Sequence, residues 1–202
     1  MAASPAKGSA PDKRRLILDA AVKVFARQGF NQCRVADIAD EAGVAYGLVY
    51  HYFRSKDAVL DTLFLERWNI MVEVIGQVDR QEIAAREKLR SVAGFIVDSY
   101  RHDPELMKVI IVEVTRAANS FGRTHLPEIR RAYGGIAEIV EGGVRTGEFR
   151  DAVAPHFAAM AFYGAIEQVL TGWIFADDPI GDAEFDQAKD LIVETICGGL
   201  NG

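Results

Sequence analysis

The sequence predicts an all-α fold, and three features of its patterning say so. Apolar residues recur at i, i+3 and i+4 through most of the 202 residues, which puts a stripe along one side of a helix. No segment shows the period-two alternation of a half-buried strand between turn residues. Proline recurs where a helix is expected to begin, at Asp103-Pro104 and Leu126-Pro127, in the first turn, where its missing N–H has no intrahelical use.

Taken in order, the opening 1–11 is small and polar and reads as a flexible tail. From Lys13 to Gln28 the stripe is Leu16, Ile17, Ala20, Ala21, Val24 and Phe25, and Gly29 supplies a stop. A short second helix spans Val35 to Ala42, Gly43 interrupts it, Val44 restarts the apolar pattern, and a third helix covers Tyr46 to Tyr52. Ser55 is placed to cap a long helix that starts near Lys56 and carries Val59, Leu60, Leu63, Phe64 and Ile70. Further helices are expected at about 82–101, 104–118, 127–145, 152–175 and 183–198, with a turn at Arg145–Phe149 and a loop at Ala176–Gly181.

Composition narrows the function. The chain is 50% hydrophobic and 26% charged, enough for a real core without staples. Cys33 and Cys197 stand far apart and form no disulfide framework, which points to a reducing, cytoplasmic setting. No apolar run reaches the roughly 18–20 residues of a membrane helix. The net charge of −6 hides an asymmetry: residues 1–56 hold nine Lys and Arg against five Asp and Glu, while the remainder is acidic. A basic head on an acidic body is the distribution expected when one end meets phosphates.

The informative stretch is Val35 to Lys56. Two short helices joined at Gly43, with Ala39, Val44 and Val49 spaced to pack them together, form a helix-turn-helix that offers its second helix to the major groove of DNA. That helix presents Tyr46, Gly47, Tyr50, His51 and Tyr52. Tyrosine hydroxyls donate to phosphate and reach base edges, and glycine admits a close backbone approach. Arg54 and Lys56 follow at the start of the next helix, whose amides and lysine favour a phosphate. Phe53 belongs with the apolar face.

These residues resemble the DNA-binding domain of the TetR family of regulators. The matching positions are Ala20-Ala21, Phe25, Gly29-Phe30, Asp37-Ile38-Ala39, Ala42-Gly43-Val44, Gly47, Tyr50-His51-Tyr52-Phe53, Ser55-Lys56 and Leu60. The resemblance implies a three-helix DNA-binding domain at 12–56 followed by a helical ligand-binding and dimerisation domain at 57–202. It implies phosphate contacts by Tyr50, Tyr52 and Lys56, and base contacts by Tyr46 and Gly47. The chain departs from the family pattern at Cys33-Arg34, Ala45-Tyr46 and Leu48, where hydroxyl residues are common; Arg34 is the substitute for one lost contact.

In the second domain, apolar and aromatic residues interleave with a few polar ones. Phe95, Tyr100, Met107, Glu113, Arg116, Tyr133, Tyr163 and Glu167 are the candidate effector residues, since a buried charge needs a partner or a ligand. The stretches 116–119 and 164–173, with the turn before Asp151, resemble the fatty-acid-degradation repressors of the TetR family. That resemblance implies an apolar effector such as a fatty acid or acyl-CoA, with Arg116 near its polar end. It also implies a homodimer through the helices at about 152–175 and 183–198, where Ala158, Ala159, Ala161, Gly164 and Ala165 permit close approach. The expected partners are therefore a double-stranded DNA operator, a small-molecule effector and a second copy of the chain.

Catalysis is not expected. His51, His102, His125 and His156 show no metal-ligand spacing, there is no GxSxG, P-loop or dinucleotide glycine pattern, and no cofactor or metal is implied. The acidic residues from Asp177 to Asp186 lack EF-hand spacing. The competing class is a helical adaptor whose helix-turn-helix is purely structural.

Overall fold

A computed structural model describes residues 10–113, 125–151, 154–176 and 179–200. Among them nine α-helices and one π-helical turn account for the regular structure, without a strand, as the patterning predicts. The chain divides into two compact units, Met1–Phe64 and Leu65–Gly202.

In the first unit α1 (Ala10–Gln28) buries Ile17, Leu18, Ala21, Val24 and Phe25 completely. Gly29 ends it in the left-handed region at φ +79°, and its N–H returns to the Phe25 carbonyl at 2.9 Å. Phe30 then meets Phe25 edge-on at 5.4 Å. The second helix, α2 (Val35–Glu41), is opened by Asp37, whose carboxylate accepts from the Arg34 N–H at 2.7 Å. Gly43 turns the chain at φ +61°, the Val44 N–H closes back on the Ala39 carbonyl, and α3 (Tyr46–Tyr52) follows with Val49 against the core. Ser55 caps α4 (Lys56–Asp79) through its hydroxyl, which accepts from Ala58 N–H at 3.1 Å. The unit runs past the expected boundary at Lys56 because Val59, Leu60, Leu63 and Phe64 on the first turns of α4 are part of its core. At the other end, α1 reaches back to Ala10, inside the expected tail, because Pro11 falls in the first turn where proline is tolerated.

The second unit holds the rest of α4, α5 (Ala85–His102), α6 (Pro104–Lys108), α7 (Leu126–Thr146), α8 (Pro155–Ile174) and α9 (Asp182–Leu200). The most extensive packing is α7 on α8, then α5 on α9. Ion pairs line the α5–α9 seam: Arg86–Glu194 and Asp98–Lys189, each at 2.6 Å, with Arg90–Asp190 and Arg101–Asp182 between and beyond them. Most of these side chains keep contact with solvent, so each pair adds little stability and the row sets register.

The start of α5 is decided by a distant residue. Glu148 accepts the Ala85 N–H at 2.6 Å and the Arg86 N–H at 2.9 Å, one on each carboxylate oxygen, and the helix therefore begins at Ala85 rather than near 82. Glu148 reaches there because α7 stops in an αL cap at Gly147, φ +78°. Gly143 makes the approach possible: a Cβ on it would lie 2.4 Å from Phe149 Cδ2 and 2.8 Å from Ala85 Cβ.

The helix expected over 104–118 is shorter. Asp103 caps α6 by accepting from Leu106 N–H at 3.0 Å, but at Val109 the α pattern gives way to a π-helical turn, Val109–Glu113. Val109, Ile110, Ile111 and Val112 are all buried, and a run of four β-branched residues weakens the preference for a continued α-helix. The remainder of that expected helix lies outside the described residues.

Gly143→Ala is expected to lower stability by about 1–3 kcal/mol, because the added methyl must displace Phe149 or Ala85. Urea unfolding reads this directly. An unchanged midpoint at unchanged m-value would show that the junction is looser than described.

Candidate nucleic-acid interface and effector site

The turn at Gly43 leaves one side of α3 uncovered. Tyr46 and Tyr50 are 52% and 44% exposed, and Gly47 and His51 are exposed beside them. Tyr46 and Tyr50 stand one turn apart, so their rings meet edge-on at 5.0 Å and their hydroxyls hydrogen-bond at 3.2 Å. That bond raises the Tyr46 hydroxyl above the ordinary tyrosine value. His51 and the half-buried Tyr52 make a second ring pair at 5.2 Å. Arg34 and Arg54 are exposed at the ends of α2 and α3.

Gly47 lies in the helix at ordinary dihedrals, and a Cβ there would meet nothing within 4 Å. Helical glycine costs about 0.5–1 kcal/mol relative to alanine, and the free protein draws no packing benefit from it.

Lys56 is engaged within the protein itself. Its ammonium turns inward and donates to the carbonyls of Phe30 at 2.7 Å, Cys33 at 3.2 Å and Asn31 at 3.4 Å, while lying 4.5 Å from the centre of the Phe30 ring. A lysine has three hydrogens, and three carbonyls take them. The charge fastens the α1–α2 loop to the start of α4 and so holds Arg34 and α2 in place.

In the second unit, α4, α7 and α8 bring Trp68, Tyr133 and Tyr163 together. Trp68 meets Tyr163 at 5.7 Å and Tyr133 meets Tyr163 at 5.5 Å, with His156 6.5 Å from Tyr133. The Trp68 indole donates to the Glu128 carbonyl at 3.0 Å. Glu167 sits among these residues: burial raises its carboxyl above the usual range, and its charge in turn raises both tyrosines, which burial already pushes up.

The other effector candidates separate. Phe95 carries the Arg67 guanidinium 5.4 Å from its ring, and burial lowers Arg67 against the opposing pull of Asp103. Tyr100 lines a different cavity of about 510 Å³ with Trp173, Phe185 and the Arg101–Asp182 pair. Met107 is plain core. Glu113 ends the π-helical turn, and its side chain, like all of Arg116, lies outside the described residues. Trp68 and Arg67 are not among the candidates that the sequence suggests. Trp68 continues the spacing Phe64, Trp68, Met71, Ile75 and was legible there; nothing in the sequence marks Arg67 as half-buried.

A basic helix-turn-helix unit joined through one long helix to an all-helical unit with a partly desolvated aromatic and acidic cluster defines a DNA-binding transcriptional regulator. Comparison with known proteins agrees. Residues 17–63 match the model of the bacterial regulatory proteins of the TetR family, and residues 64–194 match the C-terminal region of YsiA-like proteins. The fatty acid metabolism regulator protein of Bacillus subtilis (strain 168) is 32% identical over 92% of this chain and 94% of its own length. Among solved structures, the fatty acid degradation regulator FadR from Bacillus halodurans superposes with TM-score 0.85 at 26% identity, over 96% of this chain and 98% of its own. The transcriptional regulator FadR from Bacillus subtilis, solved in complex with stearoyl-CoA, superposes with TM-score 0.83 at 25% identity, over 93% of this chain and 99% of its own. The chain belongs to the TetR family.

Two outcomes are expected. Lys56→Met should destabilise the fold by about 1–3 kcal/mol and weaken DNA binding, yet leave the slope of log affinity against log salt where it was. A slope smaller by about 1 with stability intact would return Lys56 to the phosphates. For Glu167 the folded carboxyl titrates above its unfolded value, so its stabilising contribution is present at low pH and is lost as pH rises through the raised value. Glu167→Gln should therefore melt above the parent at about pH 8, with the gap closing towards about pH 4. A gap that does not change with pH would place Glu167 in water.

Proposed function

We propose that the chain is a homodimeric repressor that leaves its operator when the C-terminal domain binds a long-chain fatty acyl-CoA. The observation that carries this reading is the likeness, over nearly the whole of both chains, to a regulator solved with stearoyl-CoA bound. The aromatic cluster around Glu167 supports it, since it offers apolar surface and a partly desolvated acid where a ligand would repay the burial. Tyr133, Tyr163 and Glu167, with Trp68, are the residues we assign to the effector.

On the DNA side, Tyr46 and Gly47 face base edges, while Tyr50, Tyr52, His51 and Arg34 hold the phosphate backbone. Lys56 acts through the loop it fastens. Dimerisation uses α8 and α9. Phe157 and Leu191 are 65% and 64% exposed on them, Met160 is exposed as well, and Ala161, Gly164 and Gly198 leave room for close helix approach. Two heads on one dimer engage half-sites about one helical turn of DNA apart. The effector lowers operator affinity by binding more tightly to the form of the dimer that fits DNA less well.

The test is titration of the purified protein into a fluorescent duplex from its own promoter region at two salt concentrations, with and without oleoyl-CoA. Two chains per duplex, affinity that falls as salt rises, and release by oleoyl-CoA but not by free coenzyme A are expected. Operator binding indifferent to acyl-CoA of every chain length, together with no thermal stabilisation by any of them, would overturn the effector assignment.

A further inference from the structure

The recognition helix carries a hydrogen-bond arithmetic of its own. A tyrosine hydroxyl has one hydrogen and two lone pairs. Tyr46 and Tyr50 spend one of their two hydrogens on each other, across 3.2 Å, and neither hydroxyl has another hydrogen-bond partner among the described residues. Only one hydrogen therefore remains for DNA. A phosphate oxygen only accepts, so whichever tyrosine holds a phosphate must use that hydrogen there. Tyr46 is the first residue of α3 and Tyr50 lies one turn further on. Base edges are met by the N-terminal residues of such a helix. With Tyr50 on a backbone phosphate its hydrogen goes there, so the hydrogen between the two hydroxyls is the one Tyr46 supplies.

From this we propose that Tyr46 reads its base purely as a hydrogen-bond acceptor, taking the exocyclic amino group of adenine or cytosine in the major groove, because its own proton is committed to Tyr50, which passes its proton to a backbone phosphate. The inference rests on the assignment of α3 to the major groove. The groups that satisfy it are the N6 amino of adenine and the N4 amino of cytosine; thymine O4 and guanine O6 and N7 are acceptors and are refused. Tyr50 thus sets specificity at a base it does not touch, by fixing which way the Tyr46 hydroxyl points.

The experiment starts from a duplex library with a randomised half-site, selected with the wild-type chain and with Y46F and Y50F. The position whose preference Y46F abolishes is the one Tyr46 reads. At that base pair the exocyclic amino group is then removed, using purine for adenine or pyrimidin-2-one for cytosine. The wild-type chain should lose about fivefold in affinity beyond any loss shown by Y46F, the size of one net hydrogen bond. Y50F should bind more weakly overall and accept the reversed base pair at that position nearly as well as the original, because Tyr46 regains a proton to donate; its preferences elsewhere should stay. Equal losses by the wild-type chain and Y46F on amino removal would overturn the proposal. So would a Y50F chain weakened on every sequence alike, since a tyrosine that only holds phosphate predicts that result. A wild-type chain that enriches no sequence would overturn the major-groove assignment, and this proposal with it.

Discussion

Two hydrogen bonds from the backbone of Ala85 and Arg86 to the carboxylate of Glu148 anchor the second unit. They satisfy amides that an N-terminal helix turn leaves orphaned, and a carboxylate is the strongest acceptor for them. The consequence is geometric. Glu148 sits just past the αL glycine that ends α7, so the C-terminal end of one helix is pinned to the N-terminal end of another. With α5 and α7 so placed, α9 docks along α5 through its row of ion pairs, the Arg150 N–H meets the Leu200 carbonyl at 2.8 Å, and α8 lies against α7. The aromatic cluster of Trp68, Tyr133 and Tyr163 is a product of that arrangement, assembled from helices far apart in sequence.

The first unit solves a different problem. Its helices are short, and α3 has only seven residues, too few to be stable in isolation. Stability comes from packing, and the exposed side of α3 can then be chosen for contact with something else. That freedom explains why Gly47 and two exposed tyrosines are tolerated together on so short a helix. It also explains the inward Lys56. The loop before α2 gains rigidity from an ammonium that gathers three carbonyls.

Two charged groups of the second unit are held by opposing effects rather than by one strong contact. Burial works against the charge of Glu167 and of Arg67, and neither group has a close ion pair among the described residues. Each half-buried charge costs stability while it stays ionised.

The helical class, the short helix-turn-helix with its glycine turn, the Ser55 cap and the identity of the exposed face of α3 could all be read from the sequence, because each depends on local spacing and on the dihedral needs of single residues. The family resemblance rested on the same local features, as did the placement of Tyr46, Tyr50 and His51 on one exposed side. What the tertiary structure decided were matters of long-range contact. The sequence neighbours of Lys56 say only that a helix starts there; the carbonyls of Phe30, Asn31 and Cys33 that it gathers arrive from the other end of the loop. α5 begins later than its apolar periodicity suggests because its cap lies at Glu148. Tyr100 and Tyr133 looked alike on their helices, yet folding sends one to a cavity with Trp173 and the other to the cluster with Glu167. Periodicity shows which side of a helix turns inward. Which partner it meets there depends on how the helices pack, and that is settled by contacts such as the glutamate cap and the side-chain-free surface of Gly143, which no local window contains.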